Sequence, residues 1–227
     1  MSRDDLARLL DVPEVEAPEL PISWNVAPTE PVYTMGADRE GTRKLKALTW
    51  GFVPFWAKDP RSAFINARAE TLAEKAVFRA SLRARRAIVA VSGFYEWKRP
   101  SLGEKASKQP FYFEAADHAP LAVAALWDAW RDVDGSVLRT VALVTTEANE
   151  TMRAVHGRMP ALLAPSAWDE WLGPRQLGPG RACELLVPAP EALLTCWEVG
   201  PAVNSVRNNG PELVQPVCEP PARPSPF

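Results

Sequence analysis

The chain has 227 residues, of which 47% are hydrophobic and 24% charged, with a formal net charge of −2. That balance belongs to a soluble globular protein and excludes a disordered chain, while no apolar run reaches the roughly 18 residues of a membrane span. The near-neutral charge argues against a broad electrostatic grip on duplex DNA, though local basic patches remain open.

The opening MSRDDLARLL has no apolar core segment and does not read as a secretory signal. Ser2 followed by Asp5 predicts an N-cap and a short helix through Leu10, and the proline-rich stretch 11–21 predicts irregular chain. Strands are expected near Val32–Met35 and Leu45–Trp50, joined as a hairpin. Thr71-Leu72-Ala73-Glu74 has the form of a capping box that starts a helix, with Arg83, Arg85 and Arg86 crowding its C-terminal end as a solvated, dipole-matched cluster. Ala87–Trp97 reads as one central strand, followed by strands at Phe111–Ala115, Leu121–Trp127, Val137–Thr145 and Trp197–Val199. Ser166 is placed as the cap of a short helix holding Trp168, Trp171 and Leu172. Residues 1–217 are taken as one α+β domain with a curled, largely antiparallel β core and flanking short helices, and 218–227 as a proline-rich disordered tail.

Cys183, Cys196 and Cys218 form no CxxC pair and read as reduced thiols of a cytoplasmic protein. With two histidines in the chain, no metal site is expected. His118, in the polar turn ADHAP, reads as surface.

Several residues are able to carry chemistry. Strand alternation puts Glu96 on a face with Phe94, and Tyr95 and Trp97 on the other. There Glu96 is either a desolvated carboxylate fit for proton transfer or an edge residue facing water. His156, in a tight loop beside Gly157 and Pro160, either faces a cleft or bonds to backbone, and Arg158 is close enough in sequence to meet an anion there. Asn66, Arg68 and Glu70 share one side if that segment is extended, either for a ligand or for a buried network. The segment Trp50–Trp56 offers aromatics broken by Gly and Pro, for core packing or for stacking unpaired bases.

Taken in order, WNVAP (24–28), WGFVPFW (50–56), INARAET (65–71), GFYEW (93–97), HGRMP (156–160) and VNSVRNNGPELVQPV (203–217) resemble the SOS response-associated peptidase, or SRAP, family from Trp24 to Val217. The resemblance implies recognition of abasic sites in single-stranded DNA and covalent attachment to them. In that family a cysteine after the initiator methionine, exposed by autocatalytic removal of that methionine, is the nucleophile. Its amine forms a Schiff base with the C1′ aldehyde and its thiol closes a thiazolidine. By position the resemblance gives Glu96 and His156 acid–base roles and Asn66 the orientation of the terminus. It sets Arg68, Arg158, Asn25 and Thr145 at the DNA, with Pro28 and Trp56 as a wedge that unstacks bases. Ala57 stands where a second aromatic commonly follows that tryptophan.

The family opens Met-Cys-Gly-Arg, whereas this chain opens Met1-Ser2. The expectation is that translation starts upstream, with a non-crosslinking short form as the other account. The reading implied is a cytoplasmic monomer that needs no cofactor or metal, has no membrane partner, and binds abasic single-stranded DNA. A peptidase acting on other proteins is a second reading, without a Ser/His/Asp set or HExxH motif to support it.

Overall fold

The computed structural model describes residues 2–100, 107–173 and 177–217. Its first helix, α1 (Arg3–Leu9), is capped as the sequence predicts: the Ser2 hydroxyl accepts from the Asp5 N–H at 3.2 Å. Leu6 and Leu10 point from it into the core. The proline-rich stretch that follows is not wholly irregular. Its strand β1 (Glu14–Val15) lies parallel to β3 (Arg43–Trp50), because Lys44 on β3 draws in Glu14 at 2.8 Å and Glu16 at 3.6 Å.

The expected hairpin is present as β2 (Pro31–Ala37) and β3, in register from Pro31↔Thr49 to Ala37↔Arg43. Strands β5 (Arg86–Val91), β8 (Leu121–Arg131) and β9 (Val137–Glu147) extend the sheet in the order β3-β2-β5-β8-β9. Thr49↔Thr140 and Trp50↔Val141 then pair β3 with β9, so the sheet closes on itself as a ring. Two faces of the ring are apolar. Met35, Leu45, Ile88 and Leu126 share a cluster with helix residues, whereas Leu48, Ala87, Val89 and Val141 form a second, helix-free cluster. The first is the outer face and the second the interior, as alternation along each strand requires. An α+β fold built on a curled, mainly antiparallel sheet is therefore what the chain adopts. Parallel pairs occur where β1, β3 and β4 (Asn66–Arg68) meet their neighbours.

The run Ala87–Trp97 is not one strand. It divides into β5 and β6 (Gly93–Lys98), and β6 belongs to a separate three-stranded sheet with β7 (Gln109–Ala115) and β11 (Leu194–Glu198). The division falls at Gly93, where a Cβ would lie 2.4 Å from both the Phe113 carbonyl oxygen and the Tyr112 ring. Only glycine permits that approach. β11 begins earlier and ends earlier than the Trp197–Val199 expected.

The Thr71–Glu74 capping box does not start a helix. Leu72, fully buried, anchors a 3₁₀ turn over Ala69–Thr71, the Glu74 and Lys75 N–H groups donate to the Thr71 carbonyl, and α2 (Ala76–Ala84) begins after Lys75. The arginines at its end are not all solvated either. Arg83 is exposed, but Arg85 is half-buried and Arg86 buried, its guanidinium donating to the carbonyls of Leu82, Arg83, Trp171 and Gly173. One cation thus closes the last turns of α2 and of α4 (Pro165–Leu172), a use of positive charge that helix C-termini favour. Ser166 lies inside α4, whose N-cap is Ala164 with Pro165 at the first helical position.

Short elements that periodicity did not signal complete the fold: α3 (Glu150–Arg153), β10 (Arg158–Pro160) and α5 (Pro179–Leu185). Cys183 is exposed and Cys196 half-buried, both free thiols. The tail expected to be disordered, 218–227, lies outside the described residues, as does Cys218.

Candidate active site

β9 organises the site through both of its edges. On one edge β4 takes over where β3 leaves, pairing Asn66↔Leu143 and Arg68↔Thr145. Beyond the end of its pairing with β8, β9 is joined by β10, with Arg158↔Glu147 and Pro160↔Thr145. Asn66 and Arg68 are exposed with buried Ala67 between them, the alternation an extended segment demands. Among the described residues the Asn66 amide makes no hydrogen bond and the Arg68 guanidinium no ion pair, so both are free to meet something from solution.

Arg158 links the two edges. Its guanidinium holds the Glu70 carboxylate in a two-bond fork at 2.7 and 2.9 Å and donates to the Thr145 carbonyl at 2.7 Å. The Arg158 charge keeps the Glu70 carboxyl below its ordinary value. Its buried Nε finds no partner among the described residues. Arg158 is therefore largely committed to protein groups, and Arg68 is the more available cation of the pair.

Two residues before Arg158, the His156 ring turns toward β6. Its Nδ1 lies 3.2 Å from the Arg158 N–H, 3.1 Å from the Arg158 carbonyl oxygen and 3.7 Å from Glu96 Oε1. A bare Nδ1 accepts from the Arg158 N–H and an Nδ1–H donates to the Arg158 carbonyl oxygen, while Glu96 stands at ion-pair rather than hydrogen-bond distance. Glu96 shares its face of β6 with Phe94, which stacks on Phe113; Tyr95 and Trp97 pack together on the opposite face. Burial pushes the Glu96 carboxyl above its ordinary value, with the nearby His156 and Lys108 charges opposing that shift. The structure thus brings Glu96 and His156 into direct proximity. Asn66 stands on β4, which pairs with the same strand β9 that carries β10.

The sequence matches the family described as SOS response associated peptidase (SRAP) over residues 1–206. The chain belongs to this family. It is 39% identical over 195 residues to the abasic site processing protein YoqW of Bacillus subtilis, covering 85% of each chain. It is 33% identical over 196 residues to the abasic site processing protein YedK of Escherichia coli, covering 86% of this chain and 84% of that one. A solved protein from Bacteroides thetaiotaomicron superposes with a TM-score of 0.74 at 25% identity, covering 84% and 82% of the two chains.

The remaining positions singled out by the SRAP resemblance lie on two loops. The first, around Pro28, is tied down on both sides. The Asn25 amide donates to the carbonyls of Val203, Ser205 and Asn208, and Thr29 N–H donates to the Trp50 carbonyl. Asn25 thus fastens the loop to the segment 203–208. Thr29 has φ +81°, a left-handed conformation that β-branched residues rarely adopt. The second loop carries Trp56, a residue 57% exposed, as is Phe55. The exposed aromatic neighbour of Trp56 precedes it, where the resemblance gave Ala57 in place of one that follows. Phe55 was not singled out as a site residue; alternation around Pro54 gives no face in a turn, so periodicity offered no signal for it. Glu70 was placed on the face of Asn66 and Arg68, but its Arg158 partner lies 88 residues away.

Proposed function

We propose that this SRAP-family chain binds single-stranded DNA at abasic sites and, with the family's Met-Cys-Gly-Arg start in place, attaches to the lesion covalently. The observation that carries the reading is the Glu96–His156 pair at 3.7 Å, beside exposed Asn66 and Arg68. An abasic sugar opens to a C1′ aldehyde when its ring oxygen gains a proton and its C1′ hydroxyl loses one. Glu96, its proton held more tightly than usual by burial, suits the donor role, and His156 is placed to take up or return a proton. The terminal amine then adds to the aldehyde, water leaves to give the Schiff base, and the thiol adds across the C=N bond to close the thiazolidine. Asn66 is assigned to hold the terminus and Arg68 to a phosphate. The exposed rings of Phe55 and Trp56, with Pro28, are assigned to the bases flanking the gap, which favours unpaired strands over duplex.

The site residues are not a hydrolytic set for other proteins, so a general peptidase is the weaker reading. The test uses a protein given the Met-Cys-Gly-Arg start and an oligonucleotide with one abasic site, resolved on a denaturing gel. A denaturation-resistant adduct is expected, formed about a hundredfold more slowly in Glu96→Ala or His156→Ala. Unchanged rates in both would refute the acid–base assignment. The 227-residue chain, whose first cysteine is Cys183, is expected to retard the oligonucleotide in a native gel and leave no adduct.

A further inference from the structure

Large rings exposed on a loop ordinarily come with a mobile backbone, since nothing packs over them. The loop Val53–Ala57 is different: it is fastened from beneath at Val53, Phe55 and Ala57. Val53 N–H donates to Thr140 Oγ1 at 2.8 Å, Phe55 N–H to Asp128 Oδ2 at 3.1 Å, and the Trp130 indole N–H to the Ala57 carbonyl at 2.8 Å. Asp128 and Thr140 face each other in the β8–β9 register, so two of the fastenings rise from one rung of the closed ring.

Asp128 is 3% exposed. Its partner is Arg85 at the end of α2, with Nε 3.2 Å from Oδ1 and Nη2 3.3 Å from Oδ2. The same guanidinium lies over the Phe55 ring, 6.0 Å from its centre. Burying a carboxylate is costly, and an apolar residue of similar size packs as well in most ion-pair sites. What an apolar residue cannot supply is an acceptor for the Phe55 N–H and a fixed seat for the cation that backs the ring. The ion pair thus holds the Phe55 backbone from one side and backs its ring with a cation.

We propose that Asp128, with Arg85, is a positioning residue for nucleic-acid recognition: it pre-sets the Phe55–Trp56 loop so that unstacked bases meet rings already in place. The proposal rests on the single-stranded DNA reading above and deepens it. A loop ordered beforehand has less freedom to lose on binding, so the gain appears as affinity rather than as rate of chemistry.

The test is a double-mutant cycle on the full chain, with a short single-stranded oligonucleotide carrying one tetrahydrofuran abasic analogue as probe. Asp128→Asn keeps volume and removes the charge; Trp130→Phe removes the fastening at Ala57 and serves if the first variant does not fold. Each is expected to weaken binding about tenfold, and the loss is expected to vanish in a Phe55→Ala/Trp56→Ala background, where both rings are gone. Amide exchange at Phe55 is expected to quicken about tenfold in Asp128→Asn, as befits exchange of a charged acceptor for a neutral one. If Phe55→Ala/Trp56→Ala weakens binding but the Asp128 and Trp130 losses add to it in full, or are absent, the positioning role is overturned while the DNA reading stands. If Phe55→Ala/Trp56→Ala binds as tightly as the parent, the assignment of this loop to DNA falls and the proposal falls with it.

Discussion

His156 Nδ1 lies 3.7 Å from Glu96 Oε1, although they are 60 positions apart, Glu96 on the small sheet and His156 in the loop that enters β10 of the larger one. β6 is the edge strand of the small sheet, and the loop before β10 brings the imidazole to it from the larger one. The pair thus depends on how the two sheets meet, and its electrostatics follow from partial burial at that junction.

Glu96 titrates above 4.5 in the folded chain because burial disfavours its charge. The folded form therefore binds this proton more tightly than the unfolded one, and Glu96 costs stability as pH rises from the unfolded value through the folded one. Relative to the parent, Glu96→Gln is expected to gain thermal stability as pH is raised from about 4 to about 7. Glu70 is the internal control of opposite sign. Its carboxyl is depressed by Arg158, so its contribution is present above the ordinary 4.5 and lost as pH falls through the folded value. A pH-independent difference for Glu96→Gln, measured by melting curves, would contradict the buried-carboxylate account.

Thr29 holds φ +81° next to Pro28, and such a conformation costs a non-glycine residue about 1–2 kcal/mol. Thr29→Gly is expected to raise stability by about 1 kcal/mol in urea unfolding, part of the relief being offset by the freer unfolded chain. The same change loosens Pro28, so affinity for single-stranded abasic DNA is expected to fall while stability rises. Parallel movement of the two quantities would show that the strain has no part in presenting the proline.

Arg86 is buried and closes two helix ends through four carbonyls. Removing it leaves those oxygens without their donor, so Arg86→Met is expected to destabilise the fold by about 3 kcal/mol. Arg83→Met, on an exposed neighbour, is expected to change stability by less than about 0.5 kcal/mol. Equal effects in the two variants, by urea midpoint, would return the cluster to the solvated role that its sequence suggests.

Features with a local cause were legible in the chain itself. Alternation put Glu96 with Phe94 and opposite Tyr95 and Trp97, and the Ser2 cap, the 31–50 hairpin and the exposure of Asn66 and Arg68 about Ala67 follow from periods of two to four residues. The spaced motifs carried the family. Where local pattern and packing disagreed, packing won: Leu72 buried itself and cancelled the Thr71 capping box, and the contact of Gly93 with Phe113 split one apolar run between two sheets.

Everything joining distant segments was decided by the tertiary structure. Closure of β3 on β9, the Arg158 fork on Glu70, the meeting of Glu96 with His156 and the Asp128 fastening under Phe55 each depend on pairs of segments whose separation leaves no period in the sequence. A residue's neighbours along the chain set its backbone and its face. Its charge state and its partners come from groups that only long-range strand pairing brings within reach, which is why the residue types of the site could be read in advance and their connections could not.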